Sequence, residues 1–181
     1  ESQQNSVDVT KIIEEKGLNE IEMVEYAEDF FLSIGFEPLP DTFWERSLFV
    51  KPRDRSVVCH ASAWNLDPAN NDLRIKMCIQ KNEEDFVTIH HELGHIFYYQ
   101  AYNHLPTLFQ GGANDGFHEA FGDLLTLSIT PDYLTQIDFI TEEQASVAKE
   151  DPIGLLMKQA LDGVVVVPWA LMLDTVSYTH L

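Results

Sequence analysis

The chain has 181 residues, 45% of them hydrophobic, which suffices for a domain with a genuine core and excludes a largely disordered polypeptide. Its 11 Lys and Arg face 30 Asp and Glu, and the formal charge of −19 repels phosphate backbones and anionic headgroups, arguing against a nucleic-acid or membrane-surface binder. No charged-then-apolar leader opens the chain, no apolar run is expected to reach about 18 residues, so no membrane span is expected, and the opening Glu1-Ser2-Gln3-Gln4 fits a mature form or a fragment.

In chain order, residues 19–34 read as an amphipathic helix, with Asn19 as cap, Gly35 as stop, and Ile21, Val24, Ala27, Phe31 and Ile34 on one stripe. A proline-containing loop over 36–41 leads to three β-like runs at 47–50, 56–63 and 73–79, separated by turn material at 51–55 and 65–72. Cys59 and Cys78 fall on the second and third runs. If those runs pair antiparallel a disulfide is geometrically reasonable, and two buried free thiols are equally compatible with the spacing.

Asn82 caps a long helix over about residues 83–102, with Glu83, Glu84 and Asp85 at the positive end of its dipole. Phe86, Ile89, Leu93 and Ile96 form one apolar stripe and the histidines lie on another face, so this helix is expected to be buried on both sides. Gly94 in its interior costs about 1 kcal/mol relative to Ala, which implies close approach of another element. A second helix starts at Asn114 or Asp115 and runs to about Ser128, and Thr130-Pro131 ends it. Thr141 to Gln144 has the capping-box pattern of a third helix, and Asp151-Pro152 opens a fourth through about Leu161.

The long helix carries His91-Glu92-Leu93-Gly94-His95. Four-residue spacing stacks two imidazoles on one face, where both reach one metal ion, and zinc favours neutral imidazole nitrogen. Glu92 points about 100° round the helix, too far to ligate but within reach of a water held by the metal, as a general base must be. A chain of this length carries the pattern by chance about 2% of the time. A catalytic zinc needs a third protein ligand and an open position. Glu119 is the candidate, early in the second helix, and Asp123, four residues on, can accept the outer N–H of a metal histidine and fix its tautomer. His90 is read as a packing or solvent residue, since only His91 stands four before His95.

The blocks Cys59 to Trp64, Arg74 to Cys78, Glu84-Asp85, Thr88 to His95 and Gly112 to Ala120 resemble the angiotensin-converting-enzyme family of zinc peptidyl-dipeptidases, its bacterial members in particular, over roughly residues 20–170. The resemblance implies a mainly α fold, an HExxH helical core with a short antiparallel β segment beside the active-site channel. It implies zinc on His91, His95 and Glu119, Glu92 as base, Asp123 behind a zinc histidine, and a Cys59–Cys78 disulfide in an exported, periplasmic or extracellular protein. His60 and the backbone of Ala61 and Ala63 would pair with a peptide substrate, and His60 and Ala61 fall on the expected second strand. By the resemblance alone a chloride ion is also allowed. The family's catalytic domain is about three times longer, so residues 1–181 read as one partial domain, with 175–181 as a non-native end. The expected reaction is peptide hydrolysis that releases C-terminal dipeptides; a thermolysin-like endopeptidase or an inactive metal-binding homologue are the alternatives.

Overall fold

The computed structural model describes residues 7–150 and 152–180, so the Asp151 cap and Leu181 lie outside it. The protein is mainly helical, as the resemblance implies, and divides into two compact units, residues 8–133 and the described residues of 134–181 together with residue 7.

In the first unit, α1 (Val9–Lys16) starts where the Asp8 side chain accepts from the Lys11 amide and stops at Gly17, in the left-handed conformation at φ 66°. No element is expected here from the sequence pattern. Asn19 and Glu22 close a capping box at the start of α2 (Glu20–Ser33). Its buried stripe is Met23, Val24, Ala27 and Phe31, whereas Ile21 and Ile34 are exposed. Ile21 sits in the first turn, about 200° round from Met23, and Ile34 is already the C-cap, so neither follows the stripe inward. A short helix between the expected loop and the first β-like run, α3 (Asp41–Arg46), follows Pro40 and buries Phe43.

Of the three β-like runs, 47–50 contributes only a parallel bridge, Leu48 with Lys76, and Val57 and Val58 lie in no strand. The hairpin is β1 (Ser62–Asp67) and β2 (Asp72–Lys76), antiparallel with Ser62 opposite Lys76 and Ala63 opposite Ile75. The first strand therefore begins two residues past His60, and His60 and Ala61 precede it instead of lying on it. Pairing still converges on the cysteines just outside the ladder, and Cys59 and Cys78 are joined across a Cα–Cα distance of 5.1 Å. Asn103, at the end of the long helix, hydrogen-bonds Asn65 and Asn71, which fixes the hairpin against that helix.

The long helix, α4 (Glu83–Asn103), matches its expected span and is buried on both faces, with Phe86, Ile89, Leu93, Ile96 and Phe97 fully enclosed. Each such side chain contributes about 1.5–3 kcal/mol of burial free energy. Phe97 stacks on Phe31 of α2 at 4.2 Å between ring centroids. His90 is also buried: its Nδ1–H donates to the Phe86 carbonyl at 2.8 Å, leaving Nε2 to accept from the Tyr133 hydroxyl at 3.1 Å. Burial lowers its pKa to about 4, so it packs as a neutral ring. Crossing α4 is α5 (Asp115–Thr126), capped by Asn114. Gly94 meets α5 as its position predicts: a Cβ there would lie 3.0 Å from the Gly122 Cα.

Helix α5 ends at Thr126, ahead of Thr130-Pro131 as expected, and Pro131 then opens α6 (Pro131–Gln136), whose end lies in the second unit. There the Thr141–Gln144 capping box is formed at the start of α7 (Glu142–Glu150). The last helix, α8 (Pro152–His180), passes through Gly163 and Pro168 far beyond its expected end at Leu161. Its stretch Gln159–Val176 has a mean hydropathy of 1.3 over 18 residues, which by length and composition alone is enough to cross a membrane, so the expectation that no run reaches that length is revised.

Candidate active site

The α4–α5 crossing creates the site. With no side chains at Gly94 and Gly122 the two backbones approach closely, and the His91 ring lies over Gly122, where a Cβ would come within 2.8 Å of its Nδ1. The His91 and His95 Nε2 atoms face each other at 3.1 Å. The Glu119 carboxylate faces both, with Oε2 3.3 Å from His91 Nε2 and Oε1 3.6 Å from His95 Nε2. One ligand atom from each of the three residues lies within 4.8 Å of the others.

What stands behind the rings decides what this cluster can do. His91 Nδ1 is 3.1 Å from Asp123 Oδ1, and a carboxylate only accepts, so that nitrogen carries the proton. His95 Nδ1 is 3.4 Å from His118 Nδ1. With the proton on His91 Nδ1 its Nε2 presents a bare lone pair, and the His95 tautomer with Nδ1–H turned to His118 presents a second one to the same carboxylate. Three electron-pair donors aimed at one point repel unless a cation sits among them, and the two-histidine, one-glutamate set is that of hydrolytic zinc. The residues present therefore fit a zinc ion. Burial, and then the neighbouring His91, lower the His95 pKa, which keeps that ring a neutral donor.

Glu92 is buried at 6% exposure and its Oε2 has no hydrogen-bond partner among the described residues. Desolvation raises its pKa, so the carboxylate is a stronger base than one in water. Beside it opens a cavity of 740 Å3 lined by His91, Glu92, His60, Ala61 and the Cys59–Cys78 bridge, among others. His60 is exposed and its Nδ1–H donates to the Ala61 carbonyl at 2.8 Å. Ala63, on β1, does not line this cavity, nor do Glu119 and Asp123. Glu119 and Asp123 have side chains 71% and 76% exposed although both face His91.

Sequence reasoning missed His118. It lies in the block that carries the family resemblance, next to Glu119, but no spacing rule singled it out. The available signal is that α4 ends in Tyr98, Tyr99 and Tyr102, a hydrophobic wall facing the start of α5.

A family model described as angiotensin-converting enzyme matches residues 1–180. An angiotensin-converting enzyme of Oryctolagus cuniculus is 43% identical over 172 residues, 94% of this chain and 13% of that protein. One of Haematobia irritans exigua is 41% identical over 170 residues, 93% of this chain and 27% of that protein. An angiotensin-converting enzyme-related protein of Drosophila melanogaster is 40% identical over 173 residues. The chain thus spans between 13% and 27% of the length of these relatives.

Proposed function

Because the chain belongs to the angiotensin-converting enzyme family, we propose that it is the metal-binding and proton-transferring portion of a zinc peptidase, a central part of a longer catalytic domain. His91, His95 and Glu119 would hold the metal. The observation that carries this reading is the convergence of His91 Nε2, His95 Nε2 and the Glu119 carboxylate within 4.8 Å of one another, with Asp123 behind His91 and His118 behind His95. When bound, zinc would supply a Lewis acid that polarises the scissile carbonyl and acidifies the attacking water.

The chain's own residues supply the rest. Glu92, desolvated and with one oxygen free, takes the proton from the attacking water and delivers it to the departing amine. Asp123 keeps the His91 ring in the tautomer that leaves Nε2 free. His60 and Ala61, at the cavity wall, and Ala63, at the start of β1, would pair with the peptide main chain as an added strand. Release of C-terminal dipeptides and an exported location follow from the resemblance and belong to the same proposal, and the resemblance allows a chloride ion.

Glu92→Gln in the full-length polypeptide tests it. The variant should bind zinc as the wild type does and lose peptide hydrolysis by at least a thousandfold. Hydrolysis at the wild-type rate would remove Glu92 from the mechanism. Product mapping on a peptide with a blocked C-terminus separates dipeptide release, which requires a free end, from endopeptidase cleavage, which does not.

A further inference from the structure

The two zinc-facing imidazoles are supported differently. His91 has a carboxylate behind it, whereas the nitrogen behind His95 belongs to another histidine. His95 must keep its proton on Nδ1 if Nε2 is to face the metal. His118 Nδ1 must then accept, which places the His118 proton on Nε2, and that nitrogen lies 3.1 Å from the Tyr102 hydroxyl oxygen. The chain His95 to His118 to Tyr102 is therefore consistent in donor and acceptor at every link.

The His118 ring is also held mechanically. It lies 4.5 Å from Tyr98 and 4.8 Å from Tyr99 between ring centroids, at interplanar angles of 40° and 44°. Tyr102 meets it edge-on at 5.9 Å and 89°. On another side the backbone of Gly112 closes in, where an added Cβ would be 3.0 Å from His118 Cδ2. The Tyr98 hydroxyl accepts from the Ala113 amide at 3.0 Å, holding that loop down. A ring enclosed in this way and satisfied at both nitrogens has one orientation, and it passes that constraint to His95.

We propose that His118 is a positioning residue for the zinc site: with Tyr102 behind it, it fixes the tautomer and ring plane of His95 as Asp123 does for His91. This rests on the zinc reading above. It makes the two outer partners unequal, because a neutral imidazole polarises the ligand less than a carboxylate does, so His91 is the more electron-rich of the two nitrogen ligands.

The test measures zinc affinity of the full-length polypeptide by competition with a chromophoric chelator, together with the visible bands of its cobalt-loaded form. His118→Leu, which keeps bulk and removes the acceptor, should weaken zinc about 10–100-fold and shift the cobalt bands. His118→Asn, whose side-chain oxygen can stand in for Nδ1, should recover affinity to within about threefold of wild type. Metal-free thermal midpoints of the two variants should agree. Equal weakening by both substitutions, or wild-type affinity in His118→Leu, overturns the proposal. If His118→Leu does not fold, Tyr102→Phe decides it: a severalfold loss of affinity supports the relay and no loss overturns it. A wild-type chain that binds no zinc fails the peptidase reading itself, a result distinct from failure of the His118 variants alone.

Discussion

Gly122→Ala adds one methyl group at the α4–α5 crossing and should damage the metal site more than the fold. The new Cβ would stand 2.8 Å from His91 Nδ1, 2.9 Å from Cε1 and 3.0 Å from Cγ, against an ordinary contact that begins at 3.4 Å. The ring must retreat by about 0.6 Å, the difference between 3.4 and 2.8 Å, or α5 must lift from α4 at the point where Gly94 and Gly122 touch. Either motion alters the contacts of 3.1 Å to Asp123 and 3.3 Å to Glu119 together. Overpacking costs about 1–3 kcal/mol, and replacing a helical glycine with alanine returns about 1 kcal/mol, so the metal-free protein should lose no more than about 2 kcal/mol. Zinc affinity should fall about 10–100-fold, or about 1.4–2.8 kcal/mol, because the ligand and its outer partner are displaced at once. Chelator competition measures the affinity and urea unfolding of the metal-free protein measures the stability. Zinc binding within twofold of wild type would refute the claim that the glycine crossing sets the His91 ring.

Three other outcomes follow from the geometry. Replacing both Cys59 and Cys78 with serine opens a link between residues 19 apart, and should lower the unfolding free energy by about 3 kcal/mol while raising amide exchange at His60 and Ala61; an unchanged urea midpoint would contradict it. Asp72 is held by Arg74 and then Arg46, which lower its pKa to about 2, whereas the unfolded carboxyl protonates near 3.8. Its stabilisation is thus complete above about pH 4 and is lost as pH falls through 2, so Asp72→Asn should flatten the acid limb of a circular-dichroism stability profile in that window. Zinc at a hundredfold excess over its dissociation constant should raise the unfolding free energy by about 2.7 kcal/mol in wild type and in Glu92→Gln, with no gain in His91→Ala, and chelator should reverse it.

The parts of the molecule that repeat along a helix were legible in the sequence. Asn82 and the Thr141 box cap their helices as read, and Gly94 does permit a close crossing, because those signals are local. The candidate site follows from spacing on two helices, His91 with His95 on α4 and Glu119 with Asp123 on α5, and the side chains of all four converge at the crossing. The strands were not. Val57 and Val58 look like a strand by composition, yet Val58 is 74% exposed, whereas β1 includes Asn65 and Asp67, whose intrinsic preference is against it. Pairing with β2 and the Asn65–Asn103 hydrogen bonds override that preference, and neither is visible along a single segment. His118 escaped for a related reason, since its value lies in the tyrosines of another helix. Helix α8 continues past its expected end at Leu161, through Gly163 and Pro168, so the local pattern places that end too early.

The central claim is tested most directly by X-ray absorption at the zinc edge of the loaded chain. The account predicts one zinc per chain with two imidazole nitrogens and carboxylate oxygen in its shell, and a shell that loses that oxygen when Glu119 is replaced by alanine. A sulfur ligand, a shell without histidine, or a spectrum unmoved by Glu119→Ala would contradict it.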